Sequence, residues 1–301
     1  MAATEREAWL EQTKAWVEVQ LERALGELDG APPILLEAMR YALFGGGKRL
    51  RPALVRATCD LVGGSDEQAG RAAAAVELLH TYSLVHDDLP CMDDDDLRRG
   101  RPTCHKVYGE ALAVLVGDGL QAAAFQQTAA VGGEGGAPMT SCLALASGAL
   151  GMVGGQQLDL AAEAGASVGD VVEIHHRKTG ALLVASVELG VLAARPEWGR
   201  PDSPGATRLE ALREYGRALG LCFQAVDDLL DVTGNAGSLG KTPGKDQAAG
   251  KATLVSAQGL EGARESAGRA AEMASAAARS AGAGDGHPTL WLVETMLRRQ
   301  S

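Results

Sequence analysis

The chain has 301 residues, of which 46% are hydrophobic and 22% charged, so it can bury a large core and has the charge content of a globular protein. Its formal net charge of −11 argues against nucleic-acid binding, which needs a basic surface. The five cysteines form no CxxC pair, which argues against a disulfide framework or a zinc site and favours a reducing, cytoplasmic location. No apolar run approaches the roughly 20 residues of a membrane-spanning helix, so no membrane span is expected.

Helix-forming patterns follow one another along the chain, and strand patterns are nearly absent. Runs rich in Ala, Leu and Glu carry apolar residues at three- and four-residue spacing, which predicts helices. In chain order the predicted helices cover 5–28, 33–43, 52–62, 66–88, 108–130, 138–162, 168–194, 207–232, 252–281 and 288–299. Glycine- or proline-rich breaks separate them at 45–47, 63–64, 132–136, 195–204, 234–251 and 282–286. Since the loops are short and no linker or repeat is visible, we predict a single all-α bundle over residues 1–301.

The predicted helix 66–88 leads into a first group of aspartates, Asp87, Asp88 and 93–96. His80, Ser83 and Asp87 share one helix face at positions i, i+3 and i+7. Pro90 then breaks the helix, and Asp93 follows the bend.

A second group of aspartates lies on the predicted helix 207–232. Gln224, Asp227, Asp228 and Asp231 follow the pattern i, i+3, i+4, i+7 and form one polar stripe on an otherwise apolar helix. We expect this stripe to face an internal cavity. Carboxylates that line one cavity need cations, and their hard oxygen atoms suit Mg²⁺. One Asp-rich stretch alone is more often an acidic surface loop, but two such groups on long apolar helices favour a metal site.

Basic residues accompany both groups. They are Lys48, Arg49 and Arg51 after the glycines at 45–47, Arg98 and Arg99 after the first aspartates, Lys178 beside Thr179, and Lys241, Lys245 and Lys251 after the second aspartates. Guanidinium and ammonium groups bind phosphate oxygens well. Their placement predicts two diphosphate sites, one bridged by Mg²⁺ and one held by Arg and Lys alone.

Six motifs, in order, resemble the trans-isoprenyl diphosphate synthases, and the farnesyl-type enzymes of bacteria most of all. The motifs are GGGKRLRP (45–52), ELLHTYSLVHDDLPCMDDDDLRRGRPT (77–103), GMVGGQQLDL (151–160), KTGALL (178–183), FQAVDDLLD (223–231) and LGKTPGKDQAAGKATL (239–254). The resemblance implies a large helical bundle around a central cavity. It also implies a homodimer that makes farnesyl diphosphate by ionisation, condensation and elimination. Four residues separate the second and third aspartates of the first motif, a spacing that farnesyl-type and plant geranylgeranyl-type enzymes share.

The resemblance also implies a role for each motif residue. Metal ligands would be Asp87, Asp88, Asp93, Asp227, Asp228 and Asp231, with Asp87, Asp93 and Asp227 the most direct, and three Mg²⁺ ions are expected with bound diphosphate. The allylic diphosphate (dimethylallyl or geranyl) would contact Arg98, Lys178, Lys241 and Lys251. Isopentenyl diphosphate would contact Lys48, Arg51, His80 and Arg99. Lys178, Thr179 and Gln224 would act in catalysis, Thr179 and Gln224 by lining the cation path. Gln156, Asp159 and Lys245 receive no definite role.

Tyr82 and Ser83, just before the first aspartates, are the candidates for control of product length. In the family an aromatic residue at the place of Tyr82 marks farnesyl-type enzymes. Helix geometry places Ser83 one turn before Asp87, whereas Tyr82 is about 140° off that face, so the role of Tyr82 rests on the resemblance. Three alternatives remain: a geranylgeranyl diphosphate synthase, a terpene cyclase and a non-catalytic partner subunit. Lys48, Arg51 and His80 argue against a cyclase, and the intact aspartate groups argue against a partner subunit.

Overall fold

The computed structural model describes residues 2–162, 166–233 and 252–298, and these residues are mostly helical. The first helices are α1 (Ala2–Gly26), α2 (Pro33–Leu43), α3 (Leu50–Leu61), α4 (Asp66–Asp87), α5 (Cys104–Tyr108) and α6 (Glu110–Ala129). They are followed by α7 (Gly133–Ser147), α8 (Met152–Ala161), α9 (Val168–His175), α10 (Ala181–Ala194), α11 (Ala206–Thr233), α12 (Leu254–Ser280) and α13 (Pro288–Leu297). A π-helical turn, His176–Gly180, joins α9 to α10, and a 3₁₀ turn, Pro196–Gly199, follows α10. The predicted all-α fold is confirmed.

Three predicted helices differ from the structure. The predicted helix 108–130 is observed as α6, which begins only at Glu110, because Gly109, whose φ of 84° favours glycine, separates it from the short helix α5 that the sequence analysis did not predict. The segment 138–162 is interrupted between α7 and α8, and 168–194 by the π-helical turn. The glycines at 132–136 were expected to form a break, but α7 already begins at Gly133 and carries Pro138 inside it. Turn-forming residues are therefore helical here because the surrounding packing outweighs their low intrinsic propensity.

The strands β1 (Leu97–Arg98) and β2 (Arg101–Pro102) form a short antiparallel hairpin that the sequence analysis did not predict. Its two turn residues, Arg99 and Gly100, have φ of 53° and 75°. A two-residue hairpin turn of this kind needs positive φ at both positions. Arg99 thus adopts a backbone conformation that is uncommon for residues other than glycine, and such residues often cluster at functional sites.

Two apolar clusters form the core. The first is built around α4, which packs against α1, α3, α6 and α10. The second is built around α11, which packs against α10, α12 and α13, and its fully buried Tyr215 donates a hydrogen bond to Thr289 O at 2.9 Å. Since α3 and α10 contact both sides, α4 and α11 are held in one framework. These two helices carry the two aspartate groups.

One stretch of the described chain is long and apolar enough for a membrane span by composition, contrary to the expectation from the sequence. It is Gly133–Ala161, which contains α7 and α8. The helix is interrupted between Ser147 and Met152, and α7 packs against α6 and α10. Core helices of soluble proteins have the same length and composition, so this stretch is weak support for a span.

Candidate active site

The first aspartates lie at the C-terminal end of α4, where the chain folds back on itself. Asp87 is the last residue of the helix, and the amide of Asp93 donates to Asp87 O at 2.8 Å. Burial, the largest cause, and the negative charge of Asp93 together raise the pKa of Asp87 to about 6, although the Lys178 ammonium opposes them. The Asp87 carboxylate is therefore partly buried and incompletely neutralised, which is the condition that a bound cation relieves.

Asp88 has a different environment, because Arg98 of β1 pairs with it. The Arg98 Nε donates to the two carboxylate oxygens of Asp88 at 2.8 and 3.1 Å, and Nη2 also contacts that carboxylate and lies 3.5 Å from Asp95 Oδ2. Burial raises the pKa of Asp88, and the Arg98 guanidinium opposes this shift. The structure thus brings together a predicted metal ligand and a predicted diphosphate ligand as an ion pair.

A cluster of basic residues, which we call the basic pocket, lies close to this pair. It contains Arg51 of α3, His80 of α4 and Arg99 of the turn, whose Nη1 donates to Gly46 O. Burial lowers the pKa of Arg51 to about 10 with a contribution from Arg99, and burial together with nearby arginines holds the pKa of His80 well below its usual value. His80 is therefore neutral at pH 7. The buried Nε of Arg51 has no hydrogen-bond partner within the described structure, so a donor is left for an anion.

Lys48, also predicted for this pocket, lies exposed in the loop before α3. The same loop carries Gly47 at φ 133°, where a Cβ would lie 2.8 Å from the Arg99 Cζ. Glycine at this position thus lets the loop lie directly against the Arg99 guanidinium.

Beneath the pocket is a buried ion pair that the sequence analysis did not identify. Arg49 Nη1 donates to Glu77 Oε1 at 2.7 Å, and Arg49 Nη2 donates to Glu18 Oε1 at 2.7 Å and to Leu43 O at 2.8 Å. Glu77 also stabilises the charged forms of Arg51 and Arg99. The sequence does show that Glu77 lies one helical turn before His80. It does not show that this glutamate is 97% buried, because glutamates are mostly exposed.

The π-helical turn carries Lys178 and Thr179. Lys178 Nζ contacts Asp159 Oδ2 of α8 at 2.6 Å, which gives Asp159 a partner that the sequence could not assign. Gly155 of α8 lies against this turn, and a Cβ there would be 2.6 Å from Lys178 Cα. The close approach of α8 therefore depends on glycine at position 155, and it sets where the ammonium lies. Gln156 follows Gly155, and its buried amide atoms have no partner within the described residues.

The second aspartates lie on α11 beside the same turn. Thr179 Oγ1 donates to Gln224 Oε1 at 3.0 Å, and Gln224 Nε2 donates to Asp228 Oδ1 at 3.2 Å. Asp228 is buried, whereas Asp227 and Asp231 are only partly buried. The π-helical turn therefore contacts the second aspartate group through Thr179 and influences the first through Lys178.

This donor set fits Mg²⁺. No three carboxylate, imidazole or thiol groups of the described residues are close enough to hold a metal ion by themselves. Mg²⁺, however, usually binds through one or two carboxylates together with water and substrate phosphates. The incompletely neutralised Asp87 and the partly buried Asp227 and Asp231 offer hard oxygen ligands of this kind.

The two predicted chain-length residues lie on α4 just before the first aspartates. Tyr82 is buried in the first apolar cluster, and its ring lies edge-on to His86 with a centroid distance of 5.7 Å. Ser83 Oγ donates to His80 O at 2.9 Å within the helix. The predicted diphosphate ligands Lys241 and Lys251, and Lys245, lie outside the described residues.

The fold and the site together define a class of protein: an all-α protein with two aspartate groups at one helical turn and a separate basic pocket. Residues 32–283 match the family model described as polyprenyl synthetase. The chain belongs to this family, which confirms the resemblance seen in the motifs.

Similar proteins agree in fold and in family. Geranylgeranyl pyrophosphate synthase 9 of Arabidopsis thaliana is 49% identical over 245 residues, which are 78% of this chain and 65% of that protein, so the match spans just under two thirds of the relative. Farnesyl diphosphate synthase of Escherichia coli is 47% identical over 253 residues, 82% of each chain. The crystal structure of a geranyltransferase from Legionella pneumophila superposes with a TM-score of 0.84 over 99% of both chains at 34% identity. An FPP/GFPP synthase from Zymomonas mobilis gives 0.80 at 37% identity, over 99% of this chain and 100% of that one.

Proposed function

We propose that this protein is a magnesium-dependent prenyltransferase that condenses isopentenyl diphosphate with dimethylallyl and then geranyl diphosphate to give (2E,6E)-farnesyl diphosphate. The observation that carries the proposal is the adjacency of two different anion-binding arrangements. A basic pocket holds Arg51, His80 and Arg99, and the neighbouring carboxylate group holds Asp87 and Asp88 beside Arg98. Two diphosphates, one bound by cations of the chain and one through metal ions, fit this arrangement.

The basic pocket is proposed to hold isopentenyl diphosphate. The unpaired Nε of Arg51 and the Arg99 guanidinium supply donors, and Lys48 at the exposed loop supplies a further cation. Neutral His80 donates a hydrogen bond without adding charge. The negative charge of Glu77 offsets the repulsion between the clustered guanidinium groups of Arg51 and Arg99 before the anion binds.

The carboxylate side is proposed to hold the allylic diphosphate. Asp87, Asp93 and Asp227 are the proposed direct ligands of Mg²⁺, which when bound stabilises the negative charge that develops on the leaving diphosphate. Lys178 and Arg98 lie beside this carboxylate group and are placed to contact the same diphosphate. Lys241 and Lys251 are proposed to join them.

The proposed reaction breaks the allylic C–O bond, and its electron pair leaves with diphosphate. The alkene of isopentenyl diphosphate attacks the allylic carbon and forms the new C–C bond, and loss of a proton to the released diphosphate restores a double bond. The oxygen atoms of Thr179 and Gln224 lie beside the site and stabilise the developing positive charge. Exclusion of water by the surrounding helices keeps the cation from hydrolysis.

A second product, geranylgeranyl diphosphate, is favoured by the relatives, since the plant proteins at 47–49% identity bear that name. Buried Tyr82 next to the first aspartates favours the shorter product. A further five-carbon unit would gain about 0.8 kcal/mol for each CH₂ that enters apolar surroundings, on the order of 4 kcal/mol in all. A pocket that stops at fifteen carbons must therefore exclude the next unit by shape.

Product analysis tests the proposal. The purified protein and Mg²⁺ are incubated with isopentenyl diphosphate plus either dimethylallyl or geranyl diphosphate, and separately with farnesyl diphosphate alone, and the dephosphorylated products are separated by chromatography. Mainly farnesol supports the proposal, and mainly geranylgeraniol supports the second product. A cyclic hydrocarbon made from farnesyl diphosphate alone would indicate a cyclase. No condensation product with either allylic substrate would contradict prenyltransferase activity.

We also propose a homodimer in the cytoplasm. The consecutive helices α6, α7 and α8 expose several large apolar side chains, among them Leu115, Leu145 and Val153, and Leu150 between α7 and α8 is exposed as well. An apolar surface of this kind is typical of a protein–protein interface. The five cysteines are free, in keeping with a reducing compartment.

A further inference from the structure

We infer that Asp228 is a positioning residue that anchors the start of α12 and orients Gln224, and that it is not one of the Mg²⁺ ligands of the second aspartate group. Only 4% of Asp228 is exposed. Its Oδ2 accepts a hydrogen bond from the amide of Leu254 at 2.7 Å, and its Oδ1 accepts one from Gln224 Nε2 at 3.2 Å. Both carboxylate oxygens are thus already committed to donors of the protein.

The bond to Leu254 satisfies a group that α12 cannot satisfy by itself. Leu254 is the first residue of that helix, so its amide has no acceptor within the helix. The N-cap residue, Thr253, accepts from the amide of Ser256 and leaves the Leu254 amide to another partner. A carboxylate at this end of a helix also interacts favourably with the helix dipole. Turning Asp228 towards a metal ion would leave a buried amide unpaired, which is unfavourable.

The bond to Gln224 has a consequence for the reacting groups. Because Gln224 Nε2 donates to Asp228, the amide oxygen of Gln224 points the other way and accepts from Thr179 Oγ1 at 3.0 Å. His175 of α9 also lies against Asp228, with Nε2 3.7 Å from Oδ2. Asp228 therefore connects α12 and α9, through Gln224, to the π-helical turn that carries Lys178.

The neighbouring aspartates are the residues that we assign to the metal. Asp227 and Asp231 are one helical turn apart on the same face of α11, and both are partly accessible. Asp228 is offset by about 100° around the helix from Asp227. The assignment of Mg²⁺ to Asp227 and Asp231 rests on the proposed function, whereas the anchoring role of Asp228 does not.

Two measurements that need no turnover test the inference on the full chain. Hydrogen exchange of the Leu254 amide is measured without Mg²⁺ in wild type, Asp228→Ala, Asp228→Asn and the matched variant Asp227→Asn. We expect exchange about tenfold faster in Asp228→Ala, substantial recovery in Asp228→Asn because asparagine keeps one acceptor oxygen, and no change in Asp227→Asn. Wild-type exchange at Leu254 in Asp228→Ala would overturn the anchoring role.

The second measurement is the Kd of Mg²⁺ in the presence of inorganic pyrophosphate, by titration calorimetry. We expect Asp227→Asn to raise this Kd at least about tenfold more than Asp228→Asn does, because only Asp227 loses a ligand bond. Equal weakening in the two variants would overturn the assignment of Asp228. If wild type binds no Mg²⁺ with pyrophosphate, the proposed function fails while the exchange result still decides the anchoring role.

A coupling measurement separates positioning from general stability. If Asp228 acts on catalysis through Gln224, then Asp228→Asn and Thr179→Val each break one bond of the same hydrogen-bond chain, and their effects on kcat overlap. We expect kcat of the double variant within about threefold of the lower single variant, with KM for isopentenyl diphosphate unchanged. Fully additive losses in kcat would overturn the path through Gln224.

Discussion

At the scale of single residues, Asp87 carries the clearest electrostatic cost of the site. Its pKa is raised from 3.8 to about 6, first by burial and then by the neighbouring aspartates. The folded state therefore holds the Asp87 proton more tightly than the unfolded state does. The charged form destabilises the protein fully above about pH 6, and the cost disappears as the pH falls below about 4, near the unfolded pKa.

Asp87→Asn should therefore stabilise the metal-free protein at pH 7 by on the order of 2 kcal/mol, and by much less at pH 4. Urea denaturation at the two pH values, in the presence of a chelator, measures this difference. Added Mg²⁺ and pyrophosphate should reverse the order at pH 7, because only wild type keeps the ligand. A variant that is less stable than wild type at pH 7 without metal would contradict the electrostatic argument.

Tyr82 gives a second prediction at this scale, since its ring is buried beside His86 at the end of α4. We expect Tyr82→Ala to shift the product from farnesyl towards geranylgeranyl diphosphate or longer, because it removes the aromatic ring that is proposed to limit chain length. Tyr82→Phe is the matched control: it keeps the ring and should keep the fifteen-carbon product. Chromatography of the dephosphorylated products measures both. An unchanged distribution in Tyr82→Ala would place the floor of the pocket at another residue.

The sequence predicted the aspartates and most basic residues of the site because their chemistry is visible in short motifs. It did not predict the partners that these residues have in the fold. Lys178 and Asp159 are 19 positions apart, and Arg49 and Glu77 are 28 apart. Such pairs depend on how the helices pack, and the packing cannot be read from a single sequence. The motif predicts that Asp88 and Asp228 bind metal, but in the fold Asp88 pairs with Arg98 and Asp228 accepts from the Leu254 amide, and we therefore assign Asp228 an anchoring role instead.

At the scale of helices, long apolar periodic segments were predicted best. The span 33–43 is the same in sequence and structure, and 66–88 differs from α4 by one residue. The divisions at Gly109 and at the π-helical turn were missed, because they depend on local backbone geometry and on contacts with other helices. The hairpin at 97–102 was missed because two-residue strands carry no alternating pattern.

The contact between α8 and the π-helical turn gives a prediction at this scale. Gly155→Ala places a Cβ against the backbone of Lys178, which cannot move away as a flexible side chain could. We expect a loss of about 1–3 kcal/mol in stability, as for overpacked cores, together with a lower kcat as Lys178 and Thr179 are displaced. Thermal denaturation and steady-state kinetics measure the two effects.

Gly268→Ala is the control for this change, because a Cβ at Gly268 in α12 would meet no atom within 4 Å. Alanine there should raise stability by roughly 0.5–1 kcal/mol through helix propensity, with activity unchanged. If Gly155→Ala behaved like Gly268→Ala, the close packing of α8 on the turn would not matter for the site.

At the scale of the whole molecule, α10 packs against both α4 and α11, and the fold brings the two aspartate groups to one helical turn. The net charge of −11 is compatible with the proposed function, because part of the negative charge is concentrated where metal ions are proposed to bind. The basic pocket beside it supplies the opposite charge that an anionic substrate needs.

The proposed homodimer gives the last prediction, from the apolar side chains exposed on α6 to α8. Leu145 and Leu150 are 59% and 70% exposed in the single chain, and such exposure of large apolar side chains to water is unfavourable unless a partner covers them. Burying a leucine gains roughly 1.5–3 kcal/mol, so replacing both by glutamate should weaken a dimer that buries them far more than tenfold. Analytical ultracentrifugation should show dimeric wild type and largely monomeric Leu145→Glu/Leu150→Glu. Met273→Glu on α12, equally exposed at 59%, is the control and should remain dimeric. A monomeric wild type, or a double variant as dimeric as wild type, would place these leucines outside any dimer interface.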